Sequence, residues 1–311
     1  MKVVIVGAGM SGLVAARALT EAGAEVTVID KGRSVGGRMA TRRIGAGVLD
    51  HGAQFFTVRT PAFRSRVDDW LERGVVRVWN HGFEVDDGYP RYVGTAGMNS
   101  IAKDLATELR VETSTMAFTV RAGSGTERWE VVIDDGTVRP ADAVILTCPM
   151  PQTIALLVDA GIDFGGPMEL TEYDRTIGLL VTLDRDVELP GAGGVQEADD
   201  VFSFIGDNAH KGVSSVPSVT FHARPTWSEE HWDDDTLIES LRSAAAPWIG
   251  EASIIDAQVK KWRMATPREV WPDPCWTTED DTIVLAGDVF AGPKVEGAHN
   301  SGLAAAHALL G

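Results

Sequence analysis

Lys2-Val-Val-Ile-Val6 runs directly into Gly7-Ala8-Gly9-Met10-Ser11-Gly12, and this stretch decides the fold. The apolar run has the length of a buried strand, and a helical pattern follows it to Ala22. After Gly23 a second run, Glu25-Val-Thr-Val-Ile29, ends on Asp30. Strand, glycine turn, helix and strand make a complete βαβ unit. Gly7 permits the tight turn, Gly9 lets the backbone approach a pyrophosphate, and Gly12 lets the helix pack on the strand. The start of the helix, Met10 and Ser11, presents free N–H groups and the positive end of the dipole to phosphate. Asp30 is placed to accept from an adenosine ribose hydroxyl. The opening residues are therefore expected to hold a dinucleotide.

Working outward, Lys31-Gly-Arg-Ser-Val-Gly36-Gly37-Arg38-Met39 is a second glycine and arginine loop directly after the ribose carboxylate. Gly37 allows close approach, and Arg38 is expected on the pyrophosphate from the other side as a charge-assisted partner. Arg33, Arg42 and Arg43 add charge, with a solvated basic loop as the plain alternative. A matching half lies at the far end of the chain. Thr282-Ile-Val-Leu-Ala286 reads as a strand ending on Gly287-Asp288, and Val295-Glu-Gly-Ala298 opens the last helix, expected from about Gly297 to Leu310. A carboxylate at that strand tip suits a ribityl hydroxyl, although a turn cap is the bland reading. A helix N-terminus beyond it would stabilise a reduced flavin by about 1–2 kcal/mol. NAD has no ribitol and needs no second half, so the dinucleotide is expected to be FAD.

Composition narrows the field. The net charge is −17, from 28 basic and 45 acidic residues, which repels phosphate backbones and argues against a nucleic-acid partner. Cys148 and Cys275 form no CxxC pair, and no histidine pattern suggests a metal. Neither cysteine is well placed to tether a flavin, so the cofactor is expected to be non-covalent. No signal peptide, membrane-length apolar run or repeat is read, and a soluble, cytoplasmic protein is expected.

The 311-residue chain is expected to cross repeatedly between two domains. Residues 1–57, 94–161 and 276–311 would form the FAD-binding domain, and 58–93 and 162–275 the substrate domain. Phe63, Val67, Trp70 and Leu71 mark one face of a helix from Pro61 to Arg73. Further helices are expected over Ser100–Leu109, Gln152–Ala160 and Asp235–Ala246. A β-meander is expected over Val111–Val138, and Ala143–Pro149 is an apolar strand. Thr176–Leu183, Val201–Ile205, Ser218–Ala223 and Ala257–Arg263 are strand candidates. The fold class is α/β, a Rossmann-like domain with a second α+β domain on a mixed, largely antiparallel sheet.

Gly7-x-Gly9-x-x-Gly12, Gly36-Gly37-Arg38, Asp50-x-Gly52-Ala53-Gln54, Cys148-Pro149 and Gly287-Asp288, followed by Val295-Glu296-Gly297-Ala298, together resemble the flavin amine oxidase superfamily. Within it, Gly-Ala-Gln-Phe-Phe56, Lys261-Trp262-Arg263 and Val-Glu-Gly-Ala298 are most similar to the renalase branch and its shorter bacterial members. The resemblance implies a glutathione-reductase type of cofactor domain and an active site between the domains. It implies cofactor contacts from His51, Gly52, Ala53, Gln54, Met116, Ala117, Cys148, Pro149, Val295, Glu296, Gly297 and Ala298. It further implies oxidation of the 2- and 6-dihydro isomers of NAD(P), with electrons passed to oxygen to give hydrogen peroxide, by a monomer or weak dimer. The chain departs from the branch at Phe55, Met264 and Lys294.

Hydride transfer to flavin N5 needs geometry and dryness more than acid–base groups. Gln54, Phe55, Tyr92, Trp262 and His299 are candidates for the substrate pocket, with core packing as the alternative for each. Arg263 or Lys294 is expected to meet a substrate phosphate or the reduced flavin, with Arg91 and Arg224 behind them. Two other readings stay open: a related flavin enzyme acting on an amine or a small desaturable molecule, and a flavin-binding protein without turnover. An amine oxidase would want two tyrosines facing the flavin. This chain has only Tyr89, Tyr92 and Tyr173, none in the C-terminal flavin segment.

Overall fold

The computed structural model describes residues 1–162, 166–290 and 292–311. In chain order, β1 (Lys2–Val6), α1 (Met10–Glu21) and β2 (Glu25–Ile29) form the opening unit. β3 (Thr41–Ile44) and β4 (Gly47–Asp50) make a hairpin. α2 (Pro61–Glu72) begins on a proline, whose missing N–H costs nothing in a first turn. β5 (Val76–Asn80) and β6 (Arg91–Gly94) pair antiparallel, and α3 (Asn99–Leu105) follows. Next come β7 (Val111–Glu112), β8 (Ala117–Ala122), β9 (Trp129–Ile133), β10 (Val138–Ala141) and β11 (Ala143–Leu146). α4 (Met150–Leu156) and α5 (Gly166–Glu169) lead to β12 (Tyr173–Leu183), β13 (Gly194–Gln196), β14 (Phe202–Asp207) and β15 (Ser218–Ala223). α6 (Pro225–Glu230), α7 (Leu237–Ile249), β16 (Ile254–Pro267), β17 (Trp276–Thr277), β18 (Ile283–Leu285) and α8 (Lys294–Leu310) complete the described elements.

The larger sheet has the order β17-β18-β11-β1-β2-β7, parallel except for β17. Its central strands are apolar throughout because both faces are covered. Val3, Ile5, Val28, Ile145 and Val284 belong to the cluster that includes the α1 residues Leu13, Ala16 and Leu19. The alternating Val4, Val6, Val144, Leu146 and Leu285 pack with Val120 and Val131 of the β8–β9–β10 meander. The two chain ends thus sit side by side. A Cβ on Gly302 of α8 would lie 2.3 Å from the Ser11 carbonyl of α1, so only glycine admits this approach.

The second sheet, β13-β14-β15-β12-β16, is wholly antiparallel. One face, with Leu179, Val181, Ile205 and Phe221, packs on Leu241 and Ala245 of α7. The other faces the β3–β4 hairpin, where Leu180 meets Ile44 and Leu49. Phe204, His222, Gly178 and Lys260 form one cross-sheet row on this inner face.

Several expected boundaries move. The 100–109 helix ends at Leu105, and only β8 to β10 form the meander, because β7 joins the large sheet. The 152–160 helix starts at Met150 and gives way to a 3₁₀ turn at Val158–Ala160. α7 starts two residues later than expected, and an unexpected short helix, α6, precedes it. α8 starts at Lys294 and not near Gly297. Among the described residues no helix is long and apolar enough to cross a membrane.

Candidate flavin site

The three glycines of the first turn differ in what surrounds them. A Cβ on Gly7 would fall 2.4 Å from Thr147 Oγ1, and one on Gly12 would fall 1.9 Å from the Gly7 carbonyl. These two serve the packing of turn, strand and helix. A Cβ on Gly9 would meet nothing within 4 Å, and its φ of −81° is open to any residue. Gly9 therefore borders open space at the start of α1, the position of a phosphate cradle. Gly37 closes the same space from the second loop, its Cβ position 3.6 Å from Gly9 Cα.

Asp30 is held from behind, accepting from Ala8 N at 2.7 Å and Gly32 N at 2.6 Å. Each carboxylate oxygen keeps a lone pair for a ribose hydroxyl. Thr115 N donates to the Asp30 carbonyl at 2.9 Å, which brings Met116 and Ala117 close to it. Met116 is exposed. Lys31 Nζ donates to Gln152 Oε1 at 3.3 Å. The side chains of Met10, Met39 and Val295 are buried in the core, so only their backbones remain for a cofactor.

Arg38 and Asp288, expected at different parts of the cofactor, hold each other. Nη1 and Nη2 of Arg38 donate to the two Asp288 oxygens at 2.7 and 2.6 Å. This bidentate pair ties the second loop to the tip of β18. His51, Gly52 and Ala53 lie along Arg38 to Ala40. Ala53 N donates to the Arg38 carbonyl at 2.8 Å, and a Cβ on Gly52 would fall 1.9 Å from that oxygen. Gly287 has φ +145° and its N–H is held by Ser301 Oγ at 2.9 Å. Ser11 Oγ donates to Ala298 O at 2.6 Å, joining the N-terminal ends of α1 and α8. Pro149 caps α4, and Cys148 Sγ points at Val6 O, 3.8 Å away. Burial pushes that thiol up to about 11, so it is protonated at neutral pH.

The side chain of Glu296 goes elsewhere than expected. It accepts from Arg59 N, Thr60 N and Thr60 Oγ1, the last two at 2.6 and 2.7 Å. It therefore caps α2, since Thr60 is that helix's N-cap. Gly297 is fixed by close approach to Gly292, whose carbonyl would lie 1.8 Å from a Cβ there. Lys294 is exposed, makes no contact with a carboxylate among the described residues, and takes φ +85°, rare for a residue with a Cβ. The earlier start of α8 leaves the N–H groups of 294–297 in the first turn, free of intrahelical partners.

A buried polar cluster lies under Gln54, built on Lys211, a residue absent from the sequence-based expectations. Lys211 Nζ sits 2.7 Å from Asp50 Oδ2, and neither side chain reaches solvent. Asp50 Oδ1 accepts from Thr41 Oγ1 at 2.5 Å and Met98 N at 2.7 Å. Gln54 is buried, donating to the Asp50 and Gly52 carbonyls and accepting from Lys211 at 3.4 Å. Trp262 Nε1 donates to the His51 carbonyl at 2.7 Å, and the two rings stack with centroids 5.3 Å apart. His222 Nε2 approaches the same carbonyl at 3.3 Å. Burial, reinforced for His51 by Lys260, lowers both imidazoles from 6.5 to about 4. Phe55 packs with Phe83 and Phe204, at centroid distances of 5.2 and 6.0 Å.

Trp262 is thus docked on His51, in the segment that carries Gln54 and Phe55, whereas other pocket candidates lie elsewhere. Tyr92 is buried on Phe56 and its hydroxyl accepts from Arg64 at 2.7 Å. His299 is buried against Phe63, with ring centroids 4.8 Å apart. Arg263 is exposed, one residue on from Trp262, where a strand turns its side chain to the other face. Arg91 pairs with Asp87, and Arg224 with Glu197. The core claims Tyr92 and His299 because aromatic spacing alone does not tell a cleft wall from a packed helix face.

Comparison with known proteins bears on this geometry. The model of flavin containing amine oxidoreductases matches residues 77–310, and an NAD(P)-binding Rossmann-like domain matches residues 5–70. The chain belongs to the flavin containing amine oxidoreductase family. It is an FAD-dependent oxidoreductase. Mouse renalase is 28% identical over 173 residues, which cover 51% of this chain and 50% of renalase. A hydroxyneurosporene desaturase from Cereibacter sphaeroides is 48% identical over 58 residues, 19% of this chain and 12% of the desaturase. The chain thus matches half or less of these curated relatives. Among solved structures, putrescine oxidase bound to putrescine superposes with a TM-score of 0.70 at 15% identity, covering 100% of this chain and 99% of that one. An oxidoreductase from Methanosarcina mazei gives 0.69 at 14%, covering 98% and 99%. At such identities the likeness is one of fold.

The site fits FAD on its own geometry. The open cradle at Gly9 and Gly37 would take the pyrophosphate, and Asp30 the adenosine ribose. The Arg38–Asp288 pair would meet the ribityl chain, and the start of α8 with His51 to Gln54 would flank the ring system.

Proposed function

We propose that this family member oxidises dihydronicotinamide dinucleotides, taking hydride from the 2- or 6-dihydro isomers of NAD(P) and releasing NAD(P)+. Bound FAD supplies a two-electron acceptor, and molecular oxygen with protons from water then carries the electrons away as hydrogen peroxide. The observation that carries the reading is the make-up of the wall between the Asp50–Gln54 segment and the inner face of the second sheet: Gln54, the His51–Trp262 stack and His222, with no tyrosine among them. Tyr89 is exposed, Tyr92 is in the core, and the Tyr173 hydroxyl accepts from Met150 N. The tyrosine pair suited to an amine is missing from this wall.

What the wall offers suits a flat, already reduced ring. A dihydronicotinamide needs no base before it gives up hydride, only alignment and exclusion of water. Trp262 presents an aromatic surface for a planar ring, fixed by its bond to His51. Gln54, locked by Lys211 and two carbonyls, is rigid enough to orient a polar group. His51 and His222, neutral at physiological pH, add no charge that would oppose the positive nicotinamide product. The partial similarity to renalase agrees with this chemistry.

Anaerobic mixing of the purified yellow protein with base-isomerised NAD(P)H, ordinary β-NAD(P)H and a panel of amines tests the proposal. Rapid bleaching by the isomerised fraction alone, reversed by air with peroxide formed, is expected. Bleaching by amines would move the assignment to an amine or desaturable substrate. Bleaching by nothing offered would favour a flavin-binding role without turnover.

A further inference from the structure

The inner face of β16 carries Gln258, Lys260 and Trp262 at alternating positions. The intervening residues face the helix layer: Ala257 and Val259 join the α7 core, and Lys261 Nζ donates to the Trp232 carbonyl. Register confirms the face, since Leu180 pairs with Gln258, Gly178 with Lys260 and Thr176 with Trp262. Arg42 reaches this face from β3, its Nε donating to Gln258 Oε1 at 3.1 Å. Trp262 is fixed on His51 at the other end. Lys260 lies between them, across from Gly178, where the His222 ring of the next strand packs 3.5 Å from the position a Cβ would take.

Neither Arg42 nor Lys260 has a carboxylate within ion-pair distance among the described residues, in a chain whose acids outnumber its bases 45 to 28. Asp50 does not serve them: its oxygens are committed to Lys211, Thr41 and Met98 N. His51 adds a buried Nδ1 without a hydrogen-bond partner. The groups oppose one another's charge. Lys260 is held below the usual lysine range by burial and then by Arg42, and His51 is lowered by burial and then by Lys260. Cations left without a carboxylate in an acidic protein, beside an aromatic ring and a buried imidazole nitrogen without a partner, match an anion of about phosphate size.

We propose that Arg42 and Lys260 form a phosphate subsite on the inner face of β16, which takes a phosphate of the substrate while Trp262 lies beside its ring. The identity of that substrate rests on the dinucleotide reading above; the anion site does not. Arg42 supplies directional donors and Lys260 a point charge, so the pair contributes to substrate affinity and not to the hydride step.

The test uses the FAD-loaded enzyme and the double variant Arg42→Gln/Lys260→Met, with Arg43→Gln as a control at the neighbouring arginine, whose side chain alternates to the other face of β3. Inorganic pyrophosphate is titrated calorimetrically, and KM and kcat are measured with a dihydronicotinamide dinucleotide and its uncharged riboside. Pyrophosphate is expected to bind wild type and the control but not the double variant. The dinucleotide KM should rise at least about tenfold, ~1.4 kcal/mol, while kcat, flavin content and riboside KM stay unchanged. Absence of pyrophosphate binding to wild type, or equal KM changes for dinucleotide and riboside, overturns the subsite. Variant-sensitive pyrophosphate binding without dihydronicotinamide turnover supports the subsite and removes the dinucleotide reading. Turnover with an unchanged dinucleotide KM removes the subsite and leaves that reading standing.

Discussion

Lys211 and Asp50 form an ion pair sealed from solvent, Nζ 2.7 Å from Oδ2, between the second sheet and the segment that leads to Gln54. Desolvation lowers the lysine's affinity for its proton, and the carboxylate opposes that loss. Removing one partner leaves the other buried and unpaired. Lys211→Met is therefore expected to destabilise by about 3–5 kcal/mol, with Lys211→Met/Asp50→Asn recovering part of the loss. Denaturant unfolding of the three proteins checks this. A double variant no more stable than the single one would show that the pair does not carry the effect.

Acid should weaken the fold through His51 and His222. Their pKa values fall from 6.5 unfolded to about 4 folded, so above 6.5 both states hold them neutral. As pH drops from 6.5 toward 4, the unfolded chain takes up protons that the folded one refuses. Stability is lost across that window, with each histidine costing on the order of 1.4 kcal/mol for every tenfold rise in proton activity. The thermal midpoint of wild type should decline there more steeply than that of His222→Gln. Parallel curves would contradict the assignment.

The first glycine turn predicts a split between folding and binding. Gly9→Ala enters open space at an allowed φ, so the apoprotein's stability should change by less than about 0.5 kcal/mol while FAD affinity falls. Gly12→Ala meets the Gly7 carbonyl and should lower stability even without FAD. Apoprotein melts and FAD titrations of both variants decide the matter, and equal melting losses would sink the distinction.

Arg38 and Asp288 join the two halves of the candidate site. Asp288→Asn removes the charge that orients the guanidinium, and is expected to weaken FAD binding roughly tenfold, ~1.4 kcal/mol. Dialysis against FAD-free buffer followed by flavin quantitation measures it. Retention equal to wild type would place Asp288 outside the cofactor's reach.

Glu296→Gln should behave oppositely. Its carboxylate caps α2, so about 1–2 kcal/mol of stability should go while bound flavin remains stoichiometric. Flavin loss that precedes any melting change would return Glu296 to the cofactor site.

What could be read from residues alone was local. Gly7, Gly12 and Asp30 are dictated by a strand, a turn and a helix that are neighbours in sequence, so their roles follow from spacing and backbone sterics. The C-terminal Gly287-Asp288 is equally local, and the apolar β11 announces a strand covered on both faces. Composition argues against a nucleic-acid partner from net charge alone, which does not depend on the fold. The middle of the chain follows different physics. Lys211 and Gln54 are 157 residues apart, and only the packing of the second sheet on the β3–β4 hairpin brings them together. Whether Lys260, Lys261 or Arg263 faces the cleft depends on the pairing of β12 with β16, because a shift of one residue turns every side chain to the opposite face. Tyr92 and His299 looked like pocket residues by type, and the core took them. Spacing along the chain marks where a dinucleotide would be held; strand register and burial set which side chains line the inner face of the second sheet and which cations there lack a carboxylate.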